Sequence, residues 1–391
     1  MAKKNEILSR KLRMGMVGGG PTAFIGEVHR KAIRLDGEIE LVAGAFDIDP
    51  KQSRKMGRML YLPKKRAYNT YQDMIAGELA LPVGERIDFV SITTPNSSHF
   101  PIAKAFLEAG FHVVCEKPMT MDVKEAVKLK EIVKKTRKIF MLTHTYTGFP
   151  MVKLAKDLVA DGKLGKVHKV IVQYHQGWLM RALEKSGQQQ AAWRTDPKQA
   201  GAAGCMGDIG THAANLAEYV SGLSIKELCA DLTPFVKGRK LDDDGNVLLH
   251  FNKGAKGVLT ASQVQVGHDN DLAIWVYGEN GSLEWHQEHP NQLLVKPIDA
   301  PKEIWERGNG YVEAASPAAA KNSRLPGGHP EAYIEAFANL YMRAGEAIRA
   351  RVAGKKADPL SLDFPTVTDG VSGMKFIEAV VKSKGKWTKI K

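Results

Sequence analysis

Two short motifs carry the side chains best suited to proton chemistry. Glu116-Lys117-Pro118 follows an apolar run ending at Cys115, and Asp208 and His212 stand four residues apart in Gly207-Asp208-Ile209-Gly210-Thr211-His212. A lysine can donate to an oxygen that gains negative charge, and it can depress the pKa of a base beside it. Histidine is the natural base for an alcohol proton near neutral pH. Residues four apart at a helix start share one face, so Asp208 can orient the imidazole or bond a substrate hydroxyl. Each motif alone also has a plainer reading: Lys117 as a surface lysine paired with Glu116, and Asp208 as an N-cap beside an incidental histidine.

A third motif is suited to phosphate. The apolar run Leu12 to Gly18 ends in Gly18-Gly19-Gly20, and a helical pattern follows around Ile25 to Ile33. Glycines there let backbone N–H groups approach a pyrophosphate, and the helix N-terminus adds a favourable dipole. Gly18, Gly20 and the helix-opening residues Ala23, Phe24 and Ile25 are the candidate contacts. Asp47 ends the second strand 21 residues after Gly26, where an acidic group would bind both ribose hydroxyls of adenosine. A carboxylate there repels a 2′-phosphate, which favours NAD over NADP. Asp49 is a neighbouring candidate, Lys51 or Arg54 would soften the repulsion, and an N-cap before Pro50 is the competing reading of Asp47.

These residues need a scaffold, and the periodicity predicts one. Apolar runs at Leu12–Gly18, Ile39–Phe46, Asp88–Thr93, Phe111–Cys115 and Ile139–Thr143 alternate with helical stretches, including one from Pro50, Ser98–Ala109 and Val123–Thr136. That alternation predicts a parallel, doubly wound sheet buried on both faces. After Tyr146 the pattern changes. A helix over Met151–Ala160 precedes a strand at Val167–Gln176, a long irregular stretch over 177–210 and a helix over Thr211–Val220. Six strands then follow at Glu227–Phe235, Val247–Phe251, Gly257–Val266, Leu272–Tyr277, Ser282–His286 and Gln292–Val295, with turn signals such as Asp244-Gly245-Asn246 between them. This predicts an antiparallel meander. Helices over Pro330–Val352 and Pro365–Lys382 close the chain. The expected division is a dinucleotide-binding domain over 1–146 and a substrate-binding and oligomerisation domain over 147–391, with the C-terminal helices packing back on the first.

Composition excludes several classes. The 391 residues are ample for two cores. The net charge of +13, from 56 basic and 43 acidic side chains, is spread along helix-like stretches with no basic run interleaved with stacking aromatics. A nucleic-acid partner is therefore not expected. The three cysteines, Cys115, Cys205 and Cys229, form no CxxC and suit a reducing cytosol. The charged N-terminus is not expected to act as a signal peptide, and no apolar window nears the ~20 residues that span a membrane; a cytoplasmic location is expected. His286 and His289 lack further spaced ligands, so no metal site is expected.

Taken together, the motifs resemble the Gfo/Idh/MocA family of sugar and inositol oxidoreductases over nearly the whole chain. The likeness rests on the glycine turn ending in Gly26-x-x-His29, on Thr94-Pro95-Asn96 with His99, on Glu116-Lys117-Pro118, and on Asp208-Ile-Gly-Thr-His212. It implies a Rossmann domain followed by an α/β domain with a large open, mainly antiparallel sheet. It also implies Lys117, Asp208 and His212 as catalytic residues, and a nicotinamide bordered by Pro95, Asn96 and Glu116, with Thr94 and His99 in the same cofactor-binding loop. Homodimers or homotetramers that pair their open sheets are the implied assembly. The departure is the glycine turn, where the usual GxGxxG spacing is stretched by three residues.

The reaction implied is hydride transfer between NAD and a secondary hydroxyl of a sugar, sugar acid or inositol. Tyr146, Trp193, Arg194 and His329 are the candidate substrate contacts: an aromatic face stacks on sugar C–H groups, and arginine holds a carboxylate or hydroxyl pair. Two alternatives stay open. One is an NAD-dependent glycosidase that oxidises transiently, eliminates, hydrates and reduces again, with His175, Tyr146 or His329 as a second base. The other is a non-catalytic dinucleotide-sensing regulator.

Overall fold

The computed structural model describes residues 9–390, so the start of the charged N-terminal run lies outside it. The chain divides into two compact units. The first comprises the residues up to Thr120 with Lys124–Thr143 and Phe337–Val371; the second comprises Met121–Val123, His144–Ala336 and Ser372–Lys391.

The first unit is built on five parallel strands, β1 (Leu12–Gly18), β2 (Ile39–Ala45), β3 (Phe89–Thr93), β4 (His112–Cys115) and β5 (Phe140–Leu142), in the order β2-β1-β3-β4-β5. All residues of β3, β4 and β5 are buried, as expected of strands covered on both faces. Helices Phe24–Leu35, Pro50–Met59, His99–Glu108 and Val123–Thr136 fall where the sequence pattern predicts them. Helix Tyr71–Ala80 was not foreseen. Its buried face carries Met74 and Glu78 in place of an apolar stripe, and Glu78 is held by Arg66 and Tyr68. Every strand of this sheet delivers its carboxyl end to the edge where open α/β sheets bind ligands.

The second unit contains a nine-stranded sheet. Its strands are β6 (Val167–His175), β7 (Ile225–Thr233), β8 (Asp244–Phe251), β9 (Lys256–Ser262), β10 (Asp271–Gly278), β11 (Gly281–His286), β12 (Gln292–Pro297), β13 (Glu303–Glu306) and β14 (Thr388–Lys389), in the order β13-β12-β11-β10-β6-β9-β8-β7-β14. All neighbours are antiparallel except β6 and β9, which run parallel. Helices Pro150–Ala160 and Thr211–Ser221 pack against it, with Phe149 against the fully buried Trp285.

Three expectations are corrected here. Asp244-Gly245-Asn246 is the start of β8, paired with Thr233, Leu232 and Asp231, because ladder pairing overrides the turn preference of those residues. Strands β13 and β14 are short edge strands with little buried apolar surface, so they left no clear pattern. The stretch 177–210 contains the short helices Gln189–Arg194 and Pro197–Ala200 and the π-helical turn Met206–Gly210. Among the described residues, no helix is long and apolar enough to cross a membrane. Cys115 and Cys205 are buried, and burial raises both thiol pKa values, while Cys229 is half-buried.

His112 gives this fold a pH dependence. Its Nδ1 accepts a hydrogen bond from the Ile139 N–H at 2.8 Å, which a neutral ring can do and a charged one cannot. Burial, reinforced by the charges of Lys138 and Arg351, pushes its pKa down to about 3. The unfolded chain therefore binds a proton that the folded chain excludes between roughly pH 6.5 and 3. Stability is fully present above that window and falls with decreasing pH inside it, with a slope of up to about 1.4 kcal/mol per pH unit from this group. His112→Asn keeps an acceptor without the titration. Urea midpoints measured at pH 7.5 and 4.5 should differ less in His112→Asn than in the wild type; an equal difference would remove His112 as the source.

Candidate active site

The glycine turn explains its own spacing. Gly18 and Gly19 adopt positive φ of 85° and 73°, the left-handed region that favours glycine. A Cβ on Gly26 would lie 2.4 Å from the Gly19 Cα, so Gly26 lets the helix Phe24–Leu35 press against the turn. The displaced third glycine thus serves close packing between turn and helix. The inserted Pro21 and Thr22 form an extra turn, closed by a hydrogen bond from the Ala23 N–H to the Gly20 carbonyl at 3.0 Å. No side chain caps the helix at Ala23. Bare glycine backbone and an uncapped helix N-terminus fit a dinucleotide pyrophosphate.

The aspartate pair separates cleanly. Asp49, not Asp47, caps helix Pro50–Met59, its Oδ1 accepting from the Lys51 N–H at 2.8 Å. Asp47 accepts the Asp49 N–H through Oδ1 at 2.9 Å, while its Oδ2 lies 2.9 Å from where a Gly20 Cβ would stand. The half-buried Asp47 carboxylate therefore borders the glycine turn, as a ribose-binding acid should.

At the end of β4, Glu116 is buried in a network that sequence reading missed. His29 Nε2 lies 2.9 Å from Glu116 Oε1, and the Thr143 hydroxyl donates to the same oxygen. The His29 Nδ1 is bonded to the Tyr341 hydroxyl, which is 2.9 Å from Ser91 Oγ. Burial pushes the Glu116 pKa up, but the His29 hydrogen bond and charge, Lys117 and Thr143 outweigh it, so the carboxyl lies below its ordinary value. A hydrogen-bonded run Ser91–Tyr341–His29–Glu116 therefore anchors the residue next to the half-buried Lys117, ahead of a cis Lys117-Pro118 bond.

His99 is fully buried, with Nδ1 at 2.8 Å from the Pro118 carbonyl and Nε2 at 2.9 Å from the Thr94 carbonyl. This assigns His99 to tying the Thr94-Pro95-Asn96 loop to the Glu116-Lys117-Pro118 loop. In that first loop Thr94 is half-buried, Pro95 exposed and Asn96 buried.

In the second unit, Asp208 lies in the π-helical turn Met206–Gly210, which runs directly into helix Thr211–Ser221. Its N-cap reading is overturned. The N-terminus of this turn is capped by Asp242, which accepts the Gly204 and Met206 N–H groups at 2.8 and 2.7 Å. Asp208 Oδ2 instead accepts from Arg194 Nε at 2.8 Å and Gln263 Nε2 at 2.9 Å. The Arg194 guanidinium lies 4.2 Å from the Trp193 ring centre and 5.9 Å from that of Trp178. Arg194, expected to hold substrate, thus grips Asp208.

His212 stands one turn on. Its Nδ1 is 3.3 Å from Nδ1 of His144, and the rings meet edge to face. One nitrogen of that contact must donate and the other accept. Tyr146 and Tyr174 flank His212 with ring centres at 4.9 and 6.2 Å. Their hydroxyls bond each other, and Tyr174 donates to Asn270 Oδ1 at 2.7 Å. The structure thus brings Tyr146 beside His212 and adds His144, Tyr174, Gln263 and Asn270. His144 and Tyr146 follow β5 directly, and that adjacency to a strand end was the available signal.

His329 and His175 are held by other partners. His329 is exposed in a turn, and its carbonyl accepts from Arg307. Glu331, two residues on, is buried and paired with Arg307 at 2.8 Å. His175 Nε2 meets Thr260 Oγ1 at 2.8 Å, on the opposite side of β6 from Tyr174.

Comparison with known proteins gives the following. The family model described as the NAD-binding Rossmann fold of the oxidoreductase family matches residues 12–144, and the GFO/IDH/MocA C-terminal domain matches residues 152–284. The uncharacterized oxidoreductase YfiI of Bacillus subtilis strain 168 is 34% identical over 388 residues, covering 98% of this chain and 97% of that protein. An inositol dehydrogenase homolog from Azotobacter vinelandii, solved with NAD+, is 37% identical with a TM-score of 0.90, over 97% of this chain and 98% of that one. The same homolog was also solved with NADH and myo-inositol. An oxidoreductase from Sinorhizobium meliloti is 44% identical with a TM-score of 0.86, over 97% of this chain and 100% of that one.

The Glu116 network carries a stability prediction. His29→Leu fits an apolar neighbourhood beside Phe337 but removes the imidazole from a buried carboxylate. Leaving a buried carboxylate without this hydrogen-bond partner costs about 3 kcal/mol. Tyr341→Phe, which leaves the Glu116–His29 contact in place, should cost about 1 kcal/mol. Chemical denaturation of both variants checks the order; equal losses would mean that the carboxylate does not depend on His29.

Proposed function

Because the chain belongs to the Gfo/Idh/MocA family of oxidoreductases, we propose that it oxidises a secondary hydroxyl of a sugar, sugar acid or inositol with NAD+. The observation that carries this reading is the His212–His144 pair set among Tyr146, Tyr174 and Asn270. A base with a fixed partner lies among neutral groups that can exchange hydrogen bonds with a polyol. NAD+, when bound, supplies the nicotinamide carbon that accepts the hydride.

The chain's own residues divide the remaining work. His212 takes the hydroxyl proton through Nε2. Its Nδ1 faces His144, so the tautomer that leaves Nε2 unprotonated has a fixed hydrogen bond. Lys117 donates to the same substrate oxygen and stabilises the negative charge that develops there. Asp208, held by Arg194 and Gln263, bonds a neighbouring substrate hydroxyl or helps to orient His212. Trp193 offers an aromatic face for sugar C–H groups. With His212 taking the proton, bound NAD+ would supply the hydride acceptor, and the alcohol would leave as a ketone.

The glycine turn, with its helix N-terminus at Ala23, Phe24 and Ile25, holds the pyrophosphate, and Asp47 holds the adenosine ribose. Thr94, Pro95, Asn96 and Glu116 border the nicotinamide. The substrate class is supported by the A. vinelandii homolog, which was solved with myo-inositol.

Incubation with NAD+ and a panel of inositols, sugars, sugar acids and aryl glycosides tests the reaction. NADH should accumulate with a polyol, whereas leaving-group release without NADH would replace this reading with a redox-cycling glycosidase. Lys117→Ala should lower kcat by roughly 10²–10⁴ with NADH binding nearly intact; equal loss of both would make the lysine structural. Asp47→Ala removes a charged acceptor worth about 1.5–3 kcal/mol. Titration should show NAD+ binding about tenfold weaker or more, and a smaller preference over NADP+. An unchanged preference would remove Asp47 from the ribose site.

A further inference from the structure

The proposed reaction leaves one polar cluster unused. His175 ends β6 and Asp271 begins β10, and the two face each other across the antiparallel pair. His268 reaches them from the loop 263–270, so that one donor atom from each of the three lies within 4.8 Å of the others. His268 Nδ1 and Asp271 Oδ2 are 2.9 Å apart, and the rings of His175 and His268 cross at 5.4 Å. Sequence reading weighed only His286 and His289 as ligands; these three residues are brought together by strand pairing.

We propose that His175, His268 and Asp271 bind a divalent transition-metal ion, zinc foremost, with water in the fourth position. Two imidazoles and one carboxylate are a ligand set suited to zinc and its neighbours. The outer contacts are those that metal ligands use. His175 Nε2 is bonded to Thr260 Oγ1 at 2.8 Å, which leaves Nδ1 to provide a lone pair. Gln173 Nε2 donates to Asp271 Oδ2 at 2.8 Å. The ion takes the position between His268 Nδ1 and Asp271 Oδ2, with the His268 ring in the tautomer that carries its proton on Nε2.

The position has a structural consequence. The loop bearing His268 also carries Gln263, which donates to Asp208, and Asn270, which accepts from Tyr174 and lies 3.4 Å from the Tyr146 hydroxyl. An ion on His268 pins the middle of this loop and so holds both of those side chains.

Tag-free protein stripped by a chelator, then freed of it, is titrated with Co2+ and followed by visible absorption and equilibrium dialysis. One Co2+ per chain is expected, with the intense band of a four-coordinate ion, displaced by Zn2+ and accompanied by a higher Tm. His268→Ala changes a half-exposed loop residue and should weaken Co2+ binding at least about 100-fold, while Thr260→Val, which keeps all three ligands, should weaken it about tenfold. No Co2+ binding by the wild type, or an unchanged band and stoichiometry in His268→Ala, would overturn the proposal. The readout is the ion itself, so the result stands apart from the redox reading.

Discussion

A carboxylate removed from water has to be paired, and the first unit is organised around one. Glu116 is buried at the end of β4, where the sheet edge would otherwise leave it unsolvated. Its partners come from four separate places: His29 from the first helix, Thr143 from the end of β5, and, behind His29, Tyr341 from the C-terminal region and Ser91 from β3. Desolvation makes any loosening of this group costly. The loop that carries Lys117 is therefore held by the packing of the whole unit. His99 repeats the device from the other side, joining that loop to the one after β3 through two carbonyl contacts.

The second unit meets a similar demand by a different route. The start of the helix that carries Asp208 needs acceptors for its backbone N–H groups. Asp242 supplies them from outside. This leaves the Asp208 side chain to Arg194 and Gln263, and the arginine is in turn flanked by Trp193 and Trp178. The π-helical turn sets the angular offset between Asp208 and His212. Such turns recur at functional sites because they reposition a side chain without breaking the helix. His212 is then fixed by a second imidazole and two tyrosine rings. The two units thus share one principle: the candidate catalytic residues lie on or beside groups oriented by polar partners drawn from distant parts of the chain.

Much of the architecture was legible because period and burial are local properties. The five apolar runs of the parallel sheet have to be strands covered on both faces, and each is found within a residue or two of its expected bounds. Helix Val123–Thr136 matches its predicted span, with Ala126 and Leu129 buried. Legibility failed where the deciding contact was remote. Helix Tyr71–Ala80 buries a glutamate that only Arg66 and Tyr68 make tolerable. Asp244 to Asn246 look like a turn until β7 pairs with them. Asp47 and Asp49 are equivalent as residue types, and only their positions beside Gly20 and Pro50 tell them apart.

By itself the sequence determined the class of fold, the strand-end motifs, and the residue types available for proton transfer and for a dinucleotide, because these follow from periodicity and from spacing along the chain. Tertiary structure alone decided which groups the reactive residues lean on. It made Arg194 a clamp on Asp208, set His144 against His212, buried His99 between two carbonyls, and gathered His175, His268 and Asp271 at one strand pair. The reason is physical. A hydrogen bond needs its atoms within about 3 Å, and residues dozens or hundreds of positions apart reach that distance only once the sheets and helices have packed.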